Sequence, residues 1–254
     1  MSVIVAVLVV GVGIGSAIIA GAFSSKKANA SANGNSSPPT ARSGSAPVSP
    51  SATPSATPSP SNTAAMVNGT CVYIKSGAAS RKVNLPRAKP DTKASYVATV
   101  KTNRGTIVID LLNSKAPCTV GSFVSLASQH FYNKTPCHRL TTTGIYVLQC
   151  GDPTGTGLGG PGYEYGTENL TGATYPPKTV AMARTQAPDT DGSQFFLVYK
   201  NTPLPPNYTP FGTIVSGLNV IQNVAKAGTD NSNGAGDGHP KEPVQIERVT
   251  IKKA

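Results

Sequence analysis

The chain has no tryptophan, only three histidines and only 11 acidic residues, and its four cysteines include no Cys-x-x-Cys. Each shortage excludes a class of chemistry. Three widely spaced histidines and unclustered cysteines do not make a zinc site, so no metal or other cofactor is expected. No G-x-S-x-G occurs. His130 sits at a helix end, His138 in a strand and His239 in a Gly/Asp-rich loop, which leaves a Ser–His–acid hydrolase without support. Asp152, Glu164 and Glu168 lie in or beside a glycine loop and form no pair for acid–base work. Charged residues make up only 13% of the chain, and 22 Lys+Arg give a formal charge of +11. The cations are scattered without an aromatic-studded stripe, which argues against nucleic acid. They suit solubility or weak attraction to an anionic cell envelope.

What is present is glycine and proline, 26 and 22 residues, as befits strands joined by many turns. Residues 3–23 are an uncharged apolar run, long enough to cross a bilayer as a helix. The run predicts a single-pass anchor in the cell membrane with the remaining chain extracytoplasmic. Secretion after cleavage at Ala28-Asn29-Ala30 is the alternative. Lys26-Lys27 follow the run, the reverse of what the positive-inside rule asks of an exported domain. Residues 24–65 are Ser, Ala, Thr, Pro, Asn and Gly, including the tandem Ser-Ala-Thr-Pro of 51–58. With little to bury, they predict a disordered tether. A lead-in follows over 66–94, with a short strand at Cys71-Val72-Tyr73-Ile74.

Regular patterning begins at Tyr96. Residues 96–102 and 105–111 are β-rich runs about Asn103-Arg104, a hairpin signal. Pro117-Cys118-Thr119 opens a helix carrying Val120, Phe123, Leu126 and Ala127 at helical spacing, with Thr119 as the N-cap. Further strands are expected over 138–141, 145–150, 179–183, 194–199, 211–215 and 244–252, and a second helix over 218–227. A long Gly/Pro loop spans 152–175. Many short strands, two helices and no βαβ rhythm predict a mainly β domain, an antiparallel barrel over 95–254.

Four cysteines on an export-like chain make disulfides reasonable, with small buried thiols as the alternative. If the second hairpin turns about Thr143-Gly144, Cys137 and Cys150 face one another across it. Cys71 and Cys118 would then pair, clipping the lead-in to the first helix. Gly155-Thr156-Gly157-Leu158-Gly159-Gly160 matches G-x-G-x-x-G, but Pro161-Gly162 stands where a dinucleotide site needs a helix. A turn-rich surface loop is expected there.

One stretch recurs in cations, amides and large apolar residues. Cys137-His138-Arg139-Leu140, Leu148-Gln149-Cys150-Gly151-Asp152, the 157–160 glycines, Met182-Ala183, Gly192-Ser193-Gln194-Phe195-Phe196 and Phe211-Gly212 stand in cyclophilin order. Over about residues 95–254 the chain resembles that family. Its anchored, Ser/Pro-tethered layout is similar to secreted or envelope cyclophilins of high-GC Gram-positive bacteria. The resemblance implies an eight-stranded antiparallel barrel capped by two helices, working as a monomer on proline-containing polypeptides. It implies peptidyl-prolyl cis–trans isomerisation, with a proline-binding chaperone or scaffold as the non-catalytic alternative.

By match to the family's motifs, Arg139 takes the catalytic arginine's place and Gln149 fixes the substrate carbonyl or orients the guanidinium. Tyr146, Val147, Phe196 and Leu204 line the proline pocket. Ala183, Arg184 and Gln194 hold the residues before proline, with Gly157 nearby. There are departures. Arg139 and Gln149 stand two residues further apart than usual. Arg184 replaces a common Asn, Tyr208 falls where a pocket His is common, and Pro203-Leu204 replaces Trp-Leu. With that indole donor missing, cyclosporin binding is not carried over.

Overall fold

The computed structural model describes residues 64–253, and the apolar run and most of the Ser/Pro-rich stretch lie outside them. Among the described residues no helix is long and apolar enough to cross a membrane. The lead-in carries three two-residue strands, β1 (Met66–Val67), β2 (Thr70–Cys71) and β3 (Ile74–Lys75). The domain continues with β4 (Tyr96–Thr102), β5 (Gly105–Leu111), α1 (Pro117–Ser128), β6 (Thr135–Pro136), β7 (Arg139–Thr141) and β8 (Val147–Cys150). Then come β9 (Tyr163–Glu164), β10 (Thr179–Met182), β11 (Phe195–Val198), β12 (Pro210–Ser216), α2 (Leu218–Ala227), β13 (Asp237–Gly238) and β14 (Gln245–Lys253).

Ten strands form one antiparallel sheet in the order β13-β7-β8-β11-β10-β12-β5-β4-β14-β6. The expected count was eight. The two-residue ladders β6 and β13 make the difference, one at each end of the sheet. The segment from Thr135 to Thr141 serves both ends: β6 pairs with β14 while β7 pairs with β8, which curls the sheet around its core.

The alternation of β4 and β5 explains the inner face. Ala98, Val100, Ile107, Ile109 and Leu111 are buried, while Lys101, Thr106 and Asp110 are exposed. α1 covers this core with Val120, Phe123, Leu126 and Ala127, and α2 with Ile221 and Val224. Phe123 meets Tyr132, Phe195 and Phe211 at ring separations of 5.1–5.5 Å.

Thr119 is not the N-cap of α1. The helix opens at Pro117, a residue preorganised for the first helical position, so the cap is Ala116, three residues before Thr119, and it makes no side-chain bond. The carboxylate of Glu168 caps from another loop. It accepts from the N–H of Cys118 at 3.2 Å, and from the N–H and hydroxyl of Thr119 at 2.7 and 2.8 Å. Burial raises the pKa of Glu168, and these donors counter it.

The lead-in makes two short strands after β1 where one was expected, and β3 pairs with β9 inside the stretch read as a bare glycine loop. Cys71 is disulfide-bonded to Cys118 and Cys137 to Cys150, the pairings considered from the sequence. The second hairpin is offset by one residue from a turn centred on Thr143-Gly144. Arg139 lies opposite Gln149, a register that does not run on to Cys137, which precedes β7 and has its Cα 4.0 Å from that of Cys150.

Candidate active site

All four residues of β11 are buried, and they serve two cores. Phe195 and Leu197 point into the main core, whereas Phe196 and Val198 belong to a second apolar cluster with Val147, Ala181 and Tyr175. Period-two alternation puts this second set on the outer face of β8, β11 and β10. Leu204, Tyr208 and Ala183 pack against it. Tyr208 stands edge-on to Phe196 at 5.6 Å, and Tyr175 fixes Tyr208 through its hydroxyl, which donates to the carbonyl at 2.8 Å and accepts from the N–H at 3.0 Å.

Strand register joins polar residues to this apolar floor. Arg139 lies opposite Gln149, Gln149 opposite Phe196, and Phe196 opposite Ala181. Directly paired residues share a face, so these four make one row across β7, β8, β11 and β10. A cation, an amide and an aromatic ring thus stand side by side above the second cluster.

Hydrogen bonds fix the row. Arg139 is held bidentately by Asp237 of β13, Nε donating to Oδ1 at 2.8 Å and Nη2 to Oδ2 at 2.6 Å. Its Nη1 donates to Gln149 Oε1 at 3.4 Å. Gln149 Nε2 donates to Gln194 Oε1 at 2.9 Å, and Gln194 Nε2 to the carbonyls of Gly157 and Gly159 at 2.8 and 3.0 Å. Of five guanidinium N–H groups, Asp237 and Gln149 engage three, leaving part of the outer Nη edge for a ligand. The Asp237 hydrogen bonds raise the pKa of Arg139, and Arg139 in turn lowers that of Asp237.

The glycine loop beside the row is organised by buried Asp152. Burial opposes its charge, but the Thr154 hydroxyl and the N–H groups of Thr154, Gly157 and Gly159 overcome this and lower its pKa. Gly151 leads into the loop at φ +98°, where an added Cβ would lie 2.3 Å from the carbonyl of Ser193. This G-x-G-x-x-G is a carboxylate-centred turn with no helix after it.

Of the residues singled out from the sequence, Arg139, Gln149, Gln194 and Gly157 come together in the hydrogen-bonded chain. Val147, Phe196, Ala183, Leu204 and Tyr208 come together in the apolar floor. Arg184 stands over the Tyr208 ring at 5.6 Å, its Nε donating to the carbonyl of Asn207 at 2.6 Å. Tyr146 lies apart. One position from Val147, it points to the opposite side, against Tyr199 at 6.0 Å and under Lys200 at 4.4 Å. Asp237 was missed. It lies 98 residues from Arg139, in a loop whose Gly/Asp composition reads as a turn.

A protein-family model described as "Cyclophilin type peptidyl-prolyl cis-trans isomerase/CLD" matches residues 97–251. Among curated proteins, "Probable peptidyl-prolyl cis-trans isomerase B" of Mycobacterium tuberculosis (strain H37Rv) is 43% identical over 209 residues, covering 76% of this chain and 67% of that protein. The similarly named protein of Mycobacterium leprae is 44% identical over 198 residues, covering 71% and 66%. This chain therefore spans about two thirds of the length of these relatives. A crystal structure of a Cryptosporidium parvum cyclophilin-type isomerase superposes with a TM-score of 0.56 at 28% identity, covering 62% of this chain and 98% of that one.

Proposed function

Because this chain belongs to the cyclophilin-type peptidyl-prolyl cis–trans isomerases and acts on X–Pro bonds, we propose that it does so by holding the twisted amide against Arg139. The row Arg139–Gln149–Phe196–Ala181 carries this reading. The prolyl ring settles on Phe196 between Val147, Leu204 and Tyr208, which brings the prolyl nitrogen toward the outer Nη edge of Arg139.

The barrier of roughly 20 kcal/mol comes from delocalisation of the nitrogen lone pair into the carbonyl. Twisting the bond returns the pair to nitrogen, which then accepts a hydrogen bond that neither planar form accepts. A donor placed there binds the twisted state more tightly than either ground state, and the rate rises accordingly. Bringing a step of tens of seconds to about a millisecond needs roughly 6 kcal/mol. One hydrogen bond from a charged donor contributes about 1.5–3 kcal/mol. The rest falls to the apolar clamp and to Gln149, which grip the segments on either side while the bond turns. No proton leaves a side chain in this scheme.

Arg139→Ala should lower kcat/KM on a proline tetrapeptide by about 10²–10³-fold, the usual effect of deleting one transition-state donor. Exchange spectroscopy of the cis and trans forms measures it. Undiminished turnover in a folded variant refutes the mechanism.

The working location follows from composition. We read the domain as exported and tethered to the membrane, or secreted, acting on envelope or secreted proteins. Two disulfides among the described residues support an oxidising compartment, and the apolar and Ser/Pro-rich stretches of the sequence agree. Protease digestion of intact cells tests this: a domain shielded until lysis overturns it.

A further inference from the structure

Beside the row lies a cavity of about 540 Å³, within the size range that holds a ligand rather than a few waters. Gln149, Gln194, Ala183 and Arg184 of the isomerase site form one side, and the glycine loop forms the floor. The remaining wall comes from elsewhere. Ser76, Gly77 and Ala78 belong to the lead-in, upstream of residues 97–251 that match the family.

This wall is a fixture. β3 pairs with β9, and the N–H groups of Ser76 and Ser80 donate to the carbonyls of Gly162 and Gly160 at 3.0 and 2.8 Å. Upstream, the Cys71–Cys118 disulfide ties the segment to α1, and the Tyr73 hydroxyl donates to the carbonyl of Cys118 at 2.7 Å. Downstream, Arg81 donates to the carbonyls of Phe131 at 2.7 Å and of Asn133. The strap is anchored on both sides of the three residues that face the cavity. Those three are small, so the wall leaves room where bulky residues would close it. The lining is mixed: Gln149 and Gln194 offer amides, Glu164 a carboxylate and Arg184 a guanidinium, while the strap residues themselves bring no charge.

We propose that residues 76–78 are a specificity wall, which selects a large side chain on the N-terminal side of the X–Pro bond. This rests on the reading of Arg139 and Phe196 as the proline site, because that reading puts the preceding substrate residues against Ala183, Arg184 and Gln194. A substrate with glycine before the X–Pro pair leaves the space to water. One with phenylalanine there fills it and meets the strap.

Two tetrapeptides identical except for glycine or phenylalanine at that position test the proposal. The expected wild-type preference for phenylalanine is about tenfold or more in kcat/KM, the usual discrimination for an apolar side chain in a fitted pocket. Ala78→Trp should remove that preference and leave the glycine peptide within about twofold. Ala78 is exposed, so the substitution needs no core rearrangement, and Ala78→Leu gives a milder filling if Trp disturbs the strap. A wild type without preference, or folded Ala78 variants that keep it, overturns the wall. Failure of wild type to turn over either peptide overturns the isomerase reading instead, and the wall with it.

Discussion

If Arg139 holds the twisted amide as proposed, replacing Asp237 by Asn tests whether it works because it is cationic or because it is aimed. The pair is partly buried, with side-chain exposures of 35% for Arg139 and 25% for Asp237. Asparagine keeps one acceptor and loses the charge and the second bond. Two effects then compete. Removing an anion leaves the guanidinium field unopposed at the prolyl nitrogen, which favours catalysis. The full Coulomb energy of a pair at 4 Å is about 4 kcal/mol at an effective dielectric constant near 20. Only a fraction of that acts on the partial charge of a twisted amide, which lies beyond Arg139 and further from Asp237. Against it stand about 2 kcal/mol of arginine rotamer entropy and a charged hydrogen bond of about 1.5–3 kcal/mol. Aiming should win. Asp237→Asn is expected to lower kcat roughly 10- to 150-fold with little change in KM, because the apolar floor under proline is untouched. The backbone pairing of β13 with β7 should remain, so thermal unfolding should stay near wild type. Adding Asp237→Asn to Arg139→Ala should slow the enzyme no further, since a positioning residue has nothing left to position. A kcat within twofold of wild type, or a further drop in the double variant, refutes the reasoning.

Three further outcomes are expected. Removing Cys71–Cys118, with a sequence separation of 47, should cost more stability than removing Cys137–Cys150, with a separation of 13. Loop-closure entropy gives roughly 4 against 3 kcal/mol, and denaturant unfolding of the two double Cys→Ala variants giving the reverse order would refute it. Asp191 is fully buried, and burial pushes its pKa up to about 7 despite the Thr209 hydroxyl at 2.7 Å. With the folded value above the unfolded one, its contribution is complete below about pH 4 and is lost as pH rises through 7. Wild type should therefore lose roughly 2–4 kcal/mol between pH 5 and 8 that Asp191→Asn does not lose, and parallel stability profiles would refute this. Glu168→Ala should destabilise by about 1–2 kcal/mol, as loss of a helix cap does; calorimetry showing no change would mean water replaces the carboxylate.

Elements whose signal is local were legible. The β4–β5 hairpin was expected over 96–102 and 105–111 and forms there, because alternation and the Asn103-Arg104 turn agree. α2 likewise occupies 218–227. Elements fixed by distant partners were not. β9 exists because the lead-in lies alongside it, and a two-residue ladder among glycines carries no period to detect. The opening of α1 at Pro117 was legible, but its cap was misassigned to Thr119 because the capping carboxylate, Glu168, comes from some 50 residues away.

The site divides the same way, and strand alternation supplies the reason. Motif order located Arg139, Gln149 and Phe196, but only register makes them neighbours. With the hairpin centred between Thr143 and Gly144, Arg139 would face Leu148, an inner residue, and the row would not form. The observed offset of one residue puts Arg139 opposite Gln149 instead. Cys150, next to Gln149 in β8, points the other way into the core, and Cys137 joins it there from the irregular residues before β7. The disulfide thus ties β8 to the residues before β7 from the core side, away from the row Arg139–Gln149–Phe196. Such a one-residue offset reverses which side chains share a face, and the turn residues Thr143-Gly144 do not encode it.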